Sequence, residues 1–212
     1  MNRITFLIDG FNLYHSLCCA SKDSNGTSTK WLDLRGLCSG YLHIFGQDAV
    51  LEDIYYFSAL AEHLDATNPG VTKRHKSYIE CLRATGVTTE ISRFKKKEIR
   101  CPYCKEKHTK YEEKETDVSL ALKLLELFVA DQCDTAVLVT GDTDLAPAYR
   151  TAKNLFSGKK VVFAFPYKRK NKELAKLAPG SFEISRKKYG QHQFPNPVIA
   201  LDQSEVFKPE NW

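Results

Sequence analysis

Two short apolar segments of this chain end close to an aspartate, and they limit the fold more than any other feature. Residues 4–8 (ITFLI) lead directly to Asp9, and residues 135–140 (TAVLVT) lead to Gly141-Asp142. A strand that is apolar on both sides belongs inside a parallel sheet whose two faces are covered by helices. The chain is therefore predicted to be an α/β protein.

Strand and helix patterns alternate along the rest of the sequence. Further strands are predicted at residues 50–60, 87–94, 161–165 and 182–185. Helices are predicted at residues 11–20, 32–45, 71–85, 117–130, 145–155 and 171–177, with Thr116 as the N-cap of the fourth. This order implies right-handed crossovers and a doubly wound, mainly parallel sheet flanked by helices.

The length of 212 residues suits one domain with a full core. We assign residues 1–190 to that domain, with residues 101–113 as a small cysteine-containing insert and residues 191–212 as a tail packed on it. No apolar run is long enough for a membrane span, and the N-terminal run lacks a signal-peptide cleavage site. Seven scattered cysteines argue for reduced thiols, so a cytoplasmic location is expected.

The carboxyl ends of parallel strands meet at one edge of the sheet, where such folds place their active sites. Asp9, Asp142 and Asp144 follow two predicted strands, so they meet there if those strands are neighbours. Asp117 stands at a helix start and joins them only if the preceding chain returns to that edge. Taken singly, each aspartate also has an ordinary role as a helix cap, a dipole partner or a turn residue.

Carboxylates that lie this close together repel each other unless a cation compensates their charge. Mg²⁺ and similar hard divalent ions prefer carboxylate and water oxygens as ligands. Such an ion also activates water and stabilises a phosphoryl transition state. The pattern therefore predicts one acidic, Mg²⁺- or Mn²⁺-binding site.

Three motifs resemble, in order and spacing, those of NYN domains, the PIN-like nuclease relatives of the LabA-like group. They are Ile8-Asp9-Gly10-Phe11-Asn12, Glu115-Thr116-Asp117-Val118 and Val139-Thr140-Gly141-Asp142-Thr143-Asp144-Leu145. Thr140 stands where the family usually has serine, which keeps the hydroxyl group. The closing residues 208–212 (KPENW) also resemble the family's tail, so the similarity covers nearly the whole chain.

The resemblance implies a PIN-like fold, metal-dependent RNA cleavage and a specific set of residues. The metal-binding catalytic set would be Asp9, Asp117, Asp142 and Asp144, with Asn12 and Thr140 as polar supporters. The implied reaction is in-line attack of an activated water on a phosphodiester, which leaves a 5′-phosphate and a 3′-hydroxyl. Some family members have no detected nuclease activity, so a module that binds RNA or protein without cutting is the alternative.

The segment Cys101-Pro102-Tyr103-Cys104, followed by His108, resembles half of a zinc ribbon. A structural zinc needs four ligands, and the remaining one would come from Cys81, His75 or an acidic residue. The alternative is a relic zinc knuckle that no longer binds metal, or a pair of reduced surface thiols. A redox-active CxxC is disfavoured, because the motif does not open a helix after a strand.

Basic residues gather in several segments that also carry tyrosines, and the formal net charge is +5. Single-stranded RNA is usually held by basic grooves with aromatic stacking surfaces. Lys114, just before Asp117, and residues 168–170 (Lys168, Arg169, Lys170), after a predicted strand, are the expected substrate-binding residues. Charge runs are also common as solvated faces, and the sequence leaves open whether the chain acts alone or as a homodimer.

Two other classes of phosphate-handling α/β protein fit less well. Haloacid-dehalogenase-type phosphatases need an aspartate two residues after the aspartate of the first strand, and Phe11 occupies that position. Dinucleotide-binding domains need a G-x-G-x-x-G after the first strand, which this sequence lacks.

Overall fold

The computed structural model describes residues 1–210 and 212, so Asn211 of the tail lies outside the described residues. The strands are β1 (Asn2–Asp9), β2 (Ala49–Leu60), β3 (Thr88–Arg100), β4 (Lys107–Lys114), β5 (Thr135–Val139), β6 (Lys160–Phe165), β7 (Phe182–Glu183), β8 (Val198–Ile199) and β9 (Glu205–Val206). The first seven form one sheet in the order β4-β3-β2-β1-β5-β6-β7. Its neighbours are parallel except for the antiparallel pair β3 and β4. The predicted α/β fold with a mainly parallel sheet is confirmed.

Helices connect the strands and cover both faces of the sheet. They are α1 (Gly10–Lys22), α2 (Leu34–Ser39), α3 (Val71–Ala84), α4 (Thr116–Val129), α5 (Ala146–Leu155), α6 (Lys172–Leu177) and α7 (Arg186–Gln191). Residues of α1, α2, α3 and α7 belong to one hydrophobic cluster, and residues of α4, α5 and α6 belong to the other. The two clusters are the two faces of a doubly wound sheet.

The central strands explain why their sequences are apolar throughout. Along β1, Phe6 and Ile8 belong to one cluster while Leu7 belongs to the other. Successive side chains of a strand point to opposite faces, so a strand with helices on both sides needs apolar residues at every position. β5 shows the same division, with Val139 in the first cluster and Leu138 in the second.

The predicted single helix at residues 32–45 is wrong in its extent. α2 begins after Asp33, whose carboxylate accepts a hydrogen bond from the N–H of Gly36 at 3.1 Å, and it ends at Ser39. A 3₁₀ turn follows at Leu42–Phe45. Gly40 stands between the two, and glycine is a weak helix former, which explains the interruption.

The expected short polar insert at residues 101–113 is instead part of a β-hairpin. β3 continues to Arg100, the chain turns, and β4 runs back, with Arg100 opposite Lys107 and Arg93 opposite Lys114. The last pair between β3 and β2 is Arg93 with Leu60. Residues 93–114 therefore form a two-stranded ribbon beyond the edge of the sheet, which we call the basic arm.

The helix after the hairpin begins one residue earlier than expected. Thr116 is the first residue of α4 rather than its N-cap, and Glu115 precedes it in a left-handed backbone conformation, with φ of 77°. The Thr116 hydroxyl donates a hydrogen bond to the Glu113 carboxylate at 2.6 Å. This tight turn ties the end of β4 to the start of α4.

Several tail residues lie in the core. Phe194, Val198 and Val206 are buried in the cluster that α1 and α3 also line, and β8 pairs with β9. The assignment of residues 1–190 and 191–212 to a catalytic domain and a tail stays a prediction. Within the described residues, no helix is both long and apolar enough to cross a membrane.

Candidate metal and catalytic site

The candidate site lies where the strand order reverses, between β1 and β5. Ile8 pairs with Val139, so Asp9 and Thr140 leave adjacent parallel strands at the same edge of the sheet. Ligands of open α/β sheets bind in the crevice formed at this switch point. The condition set by the sequence, that the two strands be neighbours, is therefore met.

Asp9 is the buried member of the site, with 5% of its surface exposed. Its carboxylate accepts the backbone N–H of Asn12 at 2.9 Å and the hydroxyl of Thr140 at 2.9 Å. Burial raises the pKa of Asp9, the two hydrogen bonds oppose that rise, and the nearby charges of Glu113 and Asp142 add to it. The carboxylate is thus held by donors but lacks a compensating positive charge among the described residues.

The loop after β5 is fastened to the start of α1. The side-chain oxygen of Asn12 accepts the N–H of Gly141 at 3.2 Å, and the Thr140 hydroxyl accepts the N–H of Asp142 at 3.0 Å. Asp142 accepts the N–H of Asp144 at 3.0 Å and so opens the 3₁₀ turn Thr143–Leu145. Asn12 and Thr140 therefore position the two loop aspartates relative to Asp9.

Asp117 reaches the same place because β4 runs antiparallel to β3. The return strand brings the chain back to the carboxyl edge, and α4 begins there. Although much of its surface is exposed, partial burial of its carboxyl group, together with the nearby charges of Asp9, Asp142 and Asp144, raises the pKa of Asp117 to about 6. The structure thus brings the four aspartates of the sequence prediction into one electrostatic cluster.

Glu113 is a fifth acidic member that sequence reasoning missed. It lies at the end of β4, its pKa is raised by burial and by Asp117, and its charge in turn raises the pKa of Asp9. The available signal was its spacing of four residues before Asp117, but that spacing has meaning only once β4 is known to turn directly into α4.

The donor set suits a hard divalent cation. The cluster offers carboxylate oxygens. Burial raises the pKa values of Asp9 and Asp117, and the charges of neighbouring carboxylates raise them further, a repulsion that a cation would relieve. Among the described residues, no three of these carboxylates have oxygens all within 4.8 Å of one another. An ion such as Mg²⁺ keeps part of its hydration shell, so it does not require three carboxylates in contact with one another.

A family comparison decides the wider assignment. The model of the NYN domain matches residues 3–185. The chain belongs to the NYN domain family. The family places it in the PIN-like nuclease superfamily, whose nucleases generally use divalent metals and whose NYN members are generally connected with nucleic acids.

Two individual proteins are similar to this NYN chain. The 6-hydroxy-3-succinoylpyridine 3-monooxygenase HspA of Pseudomonas putida (strain DSM 28022 / S16) is 28% identical over an alignment of 247 positions. The alignment covers 99% of this chain and 75% of that protein. A crystal structure of a protein of unknown function from Vibrio parahaemolyticus RIMD 2210633 superposes with a TM-score of 0.53 at 19% identity. It covers 87% of this chain and 93% of its own, and it supports the fold alone.

The predicted substrate-binding lysines of this NYN domain each pair with a carboxylate outside the aspartate cluster. Lys114 pairs with Glu112 at 3.0 Å, Lys168 pairs with Asp23 at 2.6 Å, and Lys170 pairs with Glu183 at 2.7 Å. These pairs are solvent-exposed, and such pairs contribute little stability, so each cation remains available to a phosphate.

Arg169 packs against the loop after β5. Its backbone oxygen lies so near Gly141 that a Cβ atom there would approach it to 2.0 Å. Its Nε is buried without a hydrogen-bond partner among the described residues. The charge of Arg169 also helps to lower the pKa of His15, after burial. Arg169 therefore lies between α1 and the acidic loop with an unused donor.

The basic arm concentrates the excess positive charge of the NYN domain. It holds nine lysines and arginines against four glutamates, whereas the rest of the chain holds 22 of each sign. Phe94 at its base contacts Phe11 of α1, with ring centroids 6.5 Å apart, and Tyr111 stacks on His63 at 4.1 Å. The arm is thus anchored next to the start of α1, close to Asp9.

The tip of the arm carries the cysteines of the predicted zinc site. Ligating atoms of Cys104, Glu106 and His108 all lie within 4.8 Å of one another. Cys101 is adjacent, and hydrogen bonds from the backbone N–H groups of Cys104 and Tyr103 lower the pKa of its thiol. The two alternative ligands lie elsewhere. Cys81 is buried in the hydrophobic core, and His75 lines a cavity beside α3.

A cavity of about 470 Å³ opens beside the acidic cluster, between α1 and α3. Gly10 and Tyr56 form the wall nearest the cluster, and a Cβ atom on Gly10 would come within 2.6 Å of the Tyr56 ring. Burial raises the pKa of Tyr56, and the charges of Asp9 and Glu113 raise it further. The Tyr56 phenol therefore lies between the cavity and the carboxylates.

Proposed function

We propose that this NYN protein, as a member of the LabA-like group, is a metal-dependent ribonuclease that cuts RNA phosphodiester bonds as an endonuclease. The observation that carries the proposal is the meeting of Asp9, Asp117, Asp142 and Asp144 at the switch point, where the pKa of Asp117 is raised to about 6. Repelling carboxylates at a sheet edge are costly unless they bind a cation. Membership of the NYN family, which suggests the PIN-like nuclease superfamily, is the reason for proposing a nuclease.

Mg²⁺ or Mn²⁺ would be held by the aspartate carboxylates, and when bound it would lower the pKa of water and neutralise charge on the transferring phosphoryl group. Thr140 and Asn12 contribute by orientation, since one holds Asp9 and the other holds the backbone of the loop that carries Asp142. Asp144, at the turn that Asp142 caps, and Asp117, at the start of α4, complete the set.

RNA is the proposed partner, and the cytoplasm is the proposed location. The basic arm, with Lys114 at its end, extends from β3 and β4 on one side of the β1–β5 pair, and the segment Lys168, Arg169 and Lys170 follows β6 on the other side. Phosphate contacts of this kind position a strand without specifying its sequence. Binding should weaken strongly as salt rises, because neutralised phosphates release counterions.

Cleavage of a mixed panel of single-stranded and structured RNAs in Mn²⁺ tests the function. Wild type should cut, chelator should stop it, and Asp142→Asn should lower the rate by a hundredfold or more without changing the melting temperature by more than a few degrees. Asp202→Asn is the matched control, because Asp202 is an exposed aspartate on the opposite side of α3. It should cut as wild type does.

Two results would contradict the ribonuclease proposal. If nuclease-free wild type cuts nothing on the panel, the chain is not a ribonuclease. If it still binds RNA and that binding survives Asp142→Asn, the regulatory module without turnover replaces the enzyme. Equal activity of Asp142→Asn and wild type would show that the cleavage comes from a contaminant.

We also propose a structural Zn²⁺ at the tip of the basic arm, with Cys101, Cys104, His108 and Glu106 as ligands. Two sulfur donors, one nitrogen and one carboxylate oxygen form a set that tetrahedral zinc accepts. The ends of β3 and β4 bring the donors together, since Arg100 pairs with Lys107 and the N–H of Cys101 bonds the oxygen of Glu106 at 2.9 Å. Zinc bound here would hold the ends of β3 and β4 together and so stabilise the tip of the basic arm.

A second candidate function is hydroxylation of a small heteroaromatic acid, as the name of the similar Pseudomonas putida protein suggests. The cavity beside Gly10 favours it, because its volume lies in the range of small-molecule pockets. The test is consumption of 6-hydroxy-3-succinoylpyridine in the presence of dioxygen and a two-electron reductant. No consumption and no saturable binding of this compound would exclude it.

A further inference from the structure

The cavity between α1 and α3 has walls suited to a flat aromatic ring. Its lining includes Phe11 and Tyr14 of α1, Tyr56 of β2, Tyr78 of α3 and Trp212. Phe11 and Tyr14 are 44% and 38% exposed, so they stand at the opening, whereas Tyr56 and Tyr78 are buried. Aromatic faces of this kind stack on a nucleobase, whatever its identity.

The polar groups of the cavity are hydrogen-bonding and basic. His75 lies 3.5 Å from the Tyr56 hydroxyl, and burial lowers the pKa of His75 to about 4, so the ring is neutral at pH 7. The Nε1 of Trp212 is buried and has no partner among the described residues. Lys30 and Arg74 supply positive charge, and the lining in the described part of the chain contains no aspartate or glutamate side chain.

The position of the cavity relates it to the reaction. Gly10 follows Asp9 directly, and the Tyr56 ring fills the space next to it. The base of the basic arm also adjoins the opening, because Phe94 contacts Phe11. A strand that follows the arm toward the acidic cluster therefore passes the opening immediately before it reaches Asp9.

We propose that this cavity receives one unstacked base of the RNA strand, so that the adjoining phosphodiester lies at the acidic cluster. The inference rests on the proposed ribonuclease function and names its substrate class, which is RNA with unpaired bases. Duplex RNA keeps its bases stacked, and single-stranded loops and ends present them freely for such a pocket.

The first arm of the test is cleavage of a single-stranded RNA series in which each nucleotide in turn lacks its base. Removal of one particular base should slow cleavage at the neighbouring phosphate by about 5- to 150-fold, the range that base stacking contributes. Tyr14→Ala should slow cleavage of the intact strand but not of that abasic strand. Leu155→Ala, at a 67% exposed position at the end of α5, is the control and should leave this preference unchanged.

The second arm does not depend on catalysis. Adenosine and uridine 5′-monophosphate are titrated while the fluorescence of Trp31 and Trp212, the two tryptophans of the chain, is followed. Their rings lie 6.5 Å apart, and Trp212 lines the cavity, so a bound base should change the signal. Tyr14→Ala should weaken this binding, and Leu155→Ala should not.

The outcomes separate the two proposals. Cleavage that is equally fast on every abasic strand, or that Tyr14→Ala slows equally with and without the base, overturns the cavity proposal and leaves the ribonuclease intact. If wild type cuts no RNA, the function fails and the titration alone decides. Saturable binding lost in Tyr14→Ala then supports a base-binding cavity, and the absence of any signal change at millimolar nucleotide overturns it.

Discussion

Thr140 joins two neighbouring strands of the candidate site through a single hydroxyl group. It donates to the buried carboxylate of Asp9 at 2.9 Å and accepts the N–H of Asp142 at 3.0 Å. One side chain thus fixes the relation between the first aspartate and the loop of the third motif. Serine, which the resemblance expects here, would keep both bonds, and the extra methyl group of threonine is fully buried.

Thr140→Val should therefore impair both stability and activity. It removes one donor from the buried Asp9, and loss of a buried hydrogen-bond partner costs about 1–3 kcal/mol. For a chain of this size, each kcal/mol lowers the melting temperature by about 2–4 °C. Thr140→Ser should keep both properties close to wild type. Thermal melts and cleavage rates of the two variants check this, and equal behaviour of both would contradict the bridging role.

Asp117→Asn should stabilise the metal-free protein at neutral pH. The pKa of Asp117 is raised from 3.8 to about 6, so its stabilising contribution is complete below the unfolded value and is lost as pH rises through about 6. A shift of this size corresponds to about 3 kcal/mol, and solvent screening of the exposed side chain leaves on the order of 1 kcal/mol. The variant should melt about 2–4 °C above wild type at pH 7.5, with the difference vanishing near pH 4.

The same variant should respond less strongly to metal. Mn²⁺ should raise the melting temperature of wild type at pH 7.5, since a ligand that binds only the native state stabilises it, and should raise that of Asp117→Asn less. The salt bridges of Asp134 with Arg3 and Lys159 are common to both proteins and cancel in the comparison. If Asp117→Asn is less stable than wild type in chelator, that result contradicts the argument that the ionised carboxylate of Asp117 destabilises the native state.

Gly141→Ala should disrupt the acidic loop. The new Cβ would lie 2.0 Å from the backbone oxygen of Arg169, so either the loop or the segment after β6 must move. Such a shift should lower the cleavage rate by at least tenfold and should destabilise the fold by about 1–3 kcal/mol, as overpacking does. Gly158→Ala is the matched control, because no atom lies within 4 Å of a Cβ there. Comparable losses in both variants would show that the effect is not one of crowding.

Cys104→Ser should remove zinc from the arm without affecting the acidic site. Wild type purified from medium that contains zinc should hold about one Zn²⁺ per chain by elemental analysis, and the variant should hold much less. Cys19→Ser, a half-buried cysteine of α1, should retain the metal. Mn²⁺-dependent stabilisation should be equal in all three proteins. Wild type with far less than one zinc per chain would contradict the proposal of a structural zinc in the arm.

The local part of the site could be predicted from the sequence because strand ends are marked locally. Asp9 and Asp142 come at or just after unbroken apolar runs, and only a central parallel strand explains such runs, so both aspartates were correctly expected at one edge. The family motifs were equally local, and the match over residues 3–185 agrees with them. The roles of the individual aspartates in binding metal stay predictions.

The sequence by itself determined the α/β class, the central strands and the aspartates at their ends, since burial on both faces requires apolar residues throughout. Only the tertiary structure decided how Asp117 and Glu113 join them. The lysine-rich strands of the arm carry no apolar alternation, and their pairing depends on partners such as Arg93 and Lys114, which are far apart in the chain. That long-range register, not any local pattern, returns the chain to the edge where Asp9 lies.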